Sequence, residues 1–124
     1  MIAVRRNILE QNDLKKNDQP ESEFLKNLYK IVLKNIADED FNIPRLCKAL
    51  NMSRTQIHRK VTALTSHSTS KFIRMIKMQE AKKLLESTSF NISEVAYKVG
   101  YKNPTNFSSH FKAHFGFTPS ETHN

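Results

Sequence analysis

From Ser22 onward, apolar residues recur at three- and four-residue steps: Phe24, Leu25, Leu28, Ile31, Val32 and Ile36. That spacing predicts one face of an α-helix. The acidic run Asp38, Glu39, Asp40 is expected to end it. Residues 41–53 and 90–102 then carry one pattern twice, each opening on Phe-Asn-Ile. The repeat pairs Phe41 with Phe90, Asn42 with Asn91, Ile43 with Ile92, Leu46 with Val95, Cys47 with Ala96 and Leu50 with Val99. Each copy predicts a helix of about eight residues. Asn42 and Asn91 are expected N-caps, and Asn91 with Glu94 has the spacing of a capping box. Pro44 falls in the first turn, where a missing N–H costs little. Asn51 and Gly100 then break the pattern, and both residue types tolerate the left-handed backbone of a tight turn.

A second helix is predicted in each copy. Ser53 and Gln56 form a capping box, and Asn103 followed by Pro104 gives a cap with proline at the first helical position. Ile57, Val61 and Leu64 supply its apolar face in the first copy, and Phe107, Phe111 and Phe115 in the second. Two helices joined by a short Asn- or Gly-containing turn predict a helix-turn-helix, here built twice. The small residue at Cys47 and Ala96 lets the second helix cross closely, so Cys47 is expected in the core. Between the copies, residues 70–87 predict one long helix with Phe72, Ile73, Ile76, Ala81, Leu84 and Leu85 on its apolar face. Thr118-Pro119-Ser120-Glu121 predicts a last, short helix. Residues 1–20 read as a polar tail with a short helix near residues 4–11.

Composition agrees with an all-α fold of about seven helices. The chain has two glycines and four prolines among 124 residues, too few for a turn-rich β architecture. No apolar run is long enough for a membrane span, and a leader peptide is not expected. One cysteine excludes an internal disulfide, and a cytoplasmic location is expected.

Charge changes the picture more. Residues 1–40 hold seven Lys/Arg and eight Asp/Glu; residues 41–124 hold thirteen and four. Residues 41–79 contain eight basic residues and no acid. Such a block attracts polyanions. In a DNA-binding helix-turn-helix the second helix enters the major groove. The residues facing away from the core there are Thr55, His58, Arg59 and Thr62 in the first copy. Their counterparts 50 positions on are Thr105, Ser108, Ser109 and Lys112. Arg59 suits bidentate pairing with guanine, whereas the second set offers small hydroxyls and a lysine suited to phosphate. The first copy is therefore expected to discriminate more. The long helix, at about 1.5 Å per residue, is expected to set two recognition helices one DNA turn apart.

Rival chemistries find little. His110 and His114 stand four apart but lack the glutamate of H-E-x-x-H. No phosphate-binding loop or nucleophile elbow is present, so an enzyme is not expected. A non-specific nucleic-acid binder and a helical protein-interaction module are the remaining alternatives.

The stretch ISEVAYKVGYKNPTNFSSHFKAHFGFTPSE closely resembles the C-terminal signature of AraC/XylS-type transcription regulators. The segments MSRTQIHRKVTALT and KFIRMIKMQEAKKLLESTSFNISE resemble the part before it, so the match runs from about Glu23 to Glu121. The resemblance implies two helix-turn-helix subdomains joined by a long linker helix, binding duplex DNA without a cofactor or metal. It places base-reading positions on Thr55, His58 and Arg59, and on Pro104, Thr105, Asn106, Ser108 and Ser109. Arg54, Lys60, Lys71, Arg74, Lys77, Lys102 and Lys112 are the expected phosphate contacts. Three positions depart from the family pattern: Ser66 replaces a common glycine, Ser109 a frequent arginine and Thr122 a frequent aromatic.

The expected organisation is a tail over 1–20 and a DNA-binding domain over 21–124. The latter divides into a first subdomain at 21–66, a linker helix at 69–87 and a second subdomain at 88–124. Sensing and dimerisation domains of such regulators lie outside a chain this short. The wording around RTQIHRKVTALT resembles output domains of two-component response regulators and hybrid sensor kinases. A short stand-alone regulator is the alternative. Double-stranded DNA is the expected partner, RNA polymerase a further one, and a membrane is not. The isolated domain is expected to be a monomer and a full-length regulator a dimer.

Overall fold

The computed structural model describes residues 20–122, so the short helix expected at 4–11 lies outside the described residues. Seven helices and no strand occur among them: α1 Pro20–Lys34, α2 Ile43–Leu50, α3 Arg54–Thr65, α4 Thr69–Ser87, α5 Ile92–Lys98, α6 Pro104–Phe115 and α7 Pro119–Thr122. Among the described residues, no helix is long and apolar enough to cross a membrane.

The chain forms two compact units. The first comprises the described residues through Lys34 together with Asn42–Ile73. Its buried hydrophobic residues are Phe24, Leu25, Leu28, Val32, Leu46, Ile57, Val61 and Phe72. The second comprises Asn35–Phe41 and the residues from Arg74 on. It closes around Met78, Ala81, Leu85, Val95, Ala96, Val99, Phe107 and Phe111. Each such aliphatic or aromatic side chain contributes about 1.5–3 kcal/mol on full burial. Phe111 also packs its ring near Phe107, Phe115 and Phe117, with centroids 5.8, 4.6 and 5.9 Å away.

The duplication extends to individual hydrogen bonds. The end of α2 is closed by Met52 N donating to Cys47 O at 3.1 Å and Asn51 N to Lys48 O at 3.2 Å. The end of α5 is closed by Tyr101 N to Ala96 O at 2.9 Å and Gly100 N to Tyr97 O at 3.0 Å. This paired closure is the Schellman arrangement, which needs a left-handed residue. Asn51 has φ 54° and Gly100 φ 88°. The caps expected at Asn42, Ser53, Asn91 and Asn103 all form, and Ser53/Gln56 and Asn91/Glu94 are complete capping boxes. Ser66, one of the three departures from the resembled pattern, adopts φ 65°, near the φ 87° of Gly116. The serine therefore keeps the left-handed turn that leads into α4.

Three expectations need correction. α1 ends at Lys34, earlier than the acidic run suggests. Asp38 Oδ1 accepts Asp40 N at 2.9 Å, and Asp38 N donates to Asn35 O at 3.0 Å, so the acids build a turn instead. Ile36 accordingly packs against the second core, not the first. Cys47 is only half-buried, whereas Ala96 is fully buried. The phenylalanines of α6 are bulkier than the Ile57 and Val61 that match them in α3.

Gly100 and Gly116 share a left-handed backbone but not their surroundings. A Cβ on Gly100 would collide with the carbonyl oxygen of Ile36, while one on Gly116 would meet nothing within 4 Å. Gly116→Ala is expected to cost about 1–2 kcal/mol, the left-handed penalty alone. Gly100→Ala is expected to cost more than about 3 kcal/mol, because backbone must also move. Urea unfolding of the two variants measures the difference.

Candidate nucleic-acid interface

In the first unit, the complete capping box at Ser53 starts α3, with Gln56 N donating to Ser53 Oγ at 3.1 Å. Ile57 and Val61 anchor the helix inward at 0% exposure. With those two positions fixed, Thr55, His58, Arg59 and Thr62 must lie on the outer face, and all four are exposed. The hydroxyl of Thr62 donates to His67 O at 3.2 Å and lies 3.5 Å from His58 Nε2. Thr62 thus braces the end of α3 in the free chain. Buried Thr65 adds to that brace by donating to Val61 O at 2.7 Å and accepting His67 N at 3.2 Å.

In the second unit, Asn103 Oδ1 accepts Thr105 N at 2.7 Å and Asn106 N at 3.4 Å. Phe107 and Phe111 are fully buried, which turns Thr105, Asn106, Ser109 and Lys112 outward, with Ser108 half-buried and Pro104 at the first helical position. Neither outer face carries an acid.

The basic residues divide. Arg54, Lys71, Arg74 and Lys112 stand exposed. Lys60 leans over the Phe24 ring, 5.4 Å from its centroid. Lys102 pairs with Asp40 at 3.5 Å, with both ends largely in water, a contact worth at most about 1 kcal/mol. Lys77 lies over Tyr101 at 5.7 Å, and burial lowers its pKa. Lys77 is therefore more a packing residue than the surface cation that its place on a basic helix suggests.

Sequence reasoning missed a polar contact behind α6. Tyr101 Oη and His110 Nδ1 lie 2.6 Å apart, and the Tyr101 ring packs edge-on against Phe107 at 5.6 Å and His110 at 5.4 Å. This ties the turn residue Tyr101 to α6. Burial lowers the His110 pKa, and the nearby charges of Arg74 and Lys77 lower it further. With its proton on Nε2, the neutral ring accepts the Tyr101 hydroxyl at Nδ1. Burial raises the Tyr101 pKa against an opposing pull from Arg74. The signal lay in the sequence as an aromatic next to the turn glycine and a histidine nine residues on. Among the described residues, no group of three or more His, Cys, Asp or Glu side chains gathers as metal ligands would.

A family profile described as a helix-turn-helix domain matches residues 46–124. Histidine kinase P4 of Formosa agariphila is 38% identical over 104 residues, covering 84% of this chain. The chain spans only 8% of that kinase. Among solved structures, the C-terminal domain of AraT, a response regulator from Geobacillus stearothermophilus, is 26% identical with a TM-score of 0.73. The match covers 85% of this chain and 84% of that one. A Chromobacterium violaceum transcriptional regulator, described among AraC-type DNA-binding domain-containing proteins, is 25% identical with a TM-score of 0.73, covering 80% and 88%.

The lowered His110 pKa makes stability depend on pH with a definite sign. Above about pH 6.5 the ring is neutral in both folded and unfolded chains, and its full contribution is present. As pH falls through that value the unfolded chain takes up the proton first, so the fold loses stability until the folded-state pKa is passed. The unfolding free energy of wild type minus that of His110→Gln is expected to rise from pH 5 to pH 7. Urea titrations at several pH values check it.

Proposed function

Because this chain belongs to the AraC-type helix-turn-helix family, a family of DNA-binding transcription regulators, we propose that it is the sequence-specific output domain of a two-component regulator. Each unit presents its recognition helix, α3 or α6, to a major groove of duplex DNA. The carrying observation is the pair of exposed, acid-free outer faces, each fixed by buried residues beneath it. The likeness to a histidine kinase and to a response-regulator C-terminal domain supports the two-component setting.

The two faces take different roles. Arg59 pairs bidentately with a guanine, and His58 and Thr55 add contacts beside it. Thr105, Asn106, Ser108 and Ser109 offer weaker discrimination, and Pro104 brings the start of α6 close to the backbone. Arg54, Lys71, Arg74 and Lys112 supply phosphate contacts that hold both helices in register. Lys60, Lys77 and Lys102 contribute less, since each already leans on a neighbour. The domain works in the cytoplasm without a cofactor. It binds as a monomer when isolated and as part of a dimer in a full-length regulator, with RNA polymerase as the downstream partner.

Arg59→Ala is expected to weaken binding to a selected operator by about 1–3 kcal/mol and to relax preference at one base pair. Fluorescence anisotropy on the operator and its single-base variants, at fixed salt, reads both effects. Unchanged affinity and unchanged preference would assign the reading elsewhere. Equal binding to unrelated duplexes would favour a non-specific binder.

A further inference from the structure

A pocket of about 400 Å³ in the first unit is lined by Ile43, Arg54, Thr55, His58, Ser68, Thr69 and Ser70. Three helices begin at its wall: α2 at Ile43, α3 at Arg54 and α4 at Thr69. Each helix start carries partial positive charge and amides without an intrahelical acceptor. Ser68 Oγ accepts Lys71 N at 3.2 Å, which leaves the earlier amides of α4 to an outside acceptor. Arg54 adds a full positive charge, and no carboxylate lines the pocket.

An independent observation points to a ligand. Thr69 is 6% exposed, and its Oγ1 has no hydrogen-bond partner among the described residues. A buried hydroxyl left in that state costs about 1–3 kcal/mol. The second unit does not repeat the arrangement. Fifty positions on, Pro119 replaces Thr69 and Glu121 replaces Lys71. There the Glu121 carboxylate accepts Thr118 N at 2.7 Å, so that corner is closed by the chain's own anion.

We propose that the pocket of the first unit holds one backbone phosphate of the bound duplex. The first amides of α4 donate to its oxygens, Arg54 neutralises its charge, and Thr69 Oγ1, excluded from solvent in the free chain, turns about its Cα–Cβ bond into the pocket to donate as well. This rests on the DNA-binding reading above and deepens it, by fixing the first recognition helix to one phosphate beside the bases that Arg59 meets. Thr69 acts as a binding residue, and its unpartnered hydroxyl finds its acceptor in the complex.

The test combines the variants Thr69→Val, Thr69→Ser and Arg54→Gln with a selected duplex carrying one uncharged methylphosphonate at each position in turn. Thr69→Val is expected to keep or raise the melting temperature, since it removes an unpaired buried hydroxyl, while weakening the duplex about tenfold. Thr69→Ser, which keeps the hydroxyl, should retain most of the affinity. One methylphosphonate should weaken wild type strongly and Thr69→Val or Arg54→Gln little. Full affinity in Thr69→Val, or a melting temperature that falls together with affinity, overturns the proposal. Inorganic phosphate titrated into the free chain tests the other source of this anion. Saturable shifts of the Thr69 and Ser70 amides with no position-specific methylphosphonate effect overturn the duplex assignment. Selective duplex binding without any of the expected effects overturns this inference alone, and absence of duplex binding overturns the underlying reading as well.

Discussion

Each unit depends on ending one helix and starting another within a few residues. Such a turn leaves backbone groups without partners on both sides. In both units the outgoing helix is closed by the same two hydrogen bonds around a left-handed residue, Asn51 or Gly100. The incoming helix is opened by a side chain, Ser53 or Asn103. Those few bonds fix the direction of α3 and α6. The buried pairs Ile57/Val61 and Phe107/Phe111 then fix the rotation of each helix about its axis. The outer face, and with it any contact to DNA, follows from these two constraints.

A common scaffold carries different chemistry in its two copies. The first helix-turn-helix, residues 42–65, has no acid, carries Arg54 and Arg59 on α3 and lines a corner where three helix N-termini open into a pocket. The second spends its bulk on aromatic packing, locks Tyr101 to His110 and closes its own matching corner with Glu121. Burial depresses the basicity of Lys77 and His110 in the second unit, and the acidic turn at residues 38–40 lies in that unit as well. These differences underlie the proposal that the first unit reads bases and the second holds a firm shape against the backbone.

Much of this was legible in the sequence because local chemistry decides it. The caps, the breaks at Asn51 and Gly100, the apolar faces and the duplicated helix-turn-helix all follow from residues within one or two turns of each other. The errors share a cause. Periodicity says that a residue such as Ile36 is buried, not which body covers it, and Ile36 joins the second core. Helical spacing puts Thr62 on the outer face, where it is found, but does not reveal its hydrogen bond to the carbonyl five residues on. Nor does a basic stripe reveal that Lys77 and Lys60 lie over the rings of Tyr101 and Phe24. The collision of any side chain at Gly100 with the Ile36 carbonyl, and the solvent-excluded hydroxyl of Thr69, arise only once distant segments meet.

The unequal reading of DNA by two similar units is the central claim. Selection of bound duplexes from a random pool, followed by counting base preference along the site, tests it most directly. The account predicts one strongly specified half that includes a guanine, joined to a second half with weak preference. Equal specification of both halves, or a bound pool with no preference at all, would contradict it.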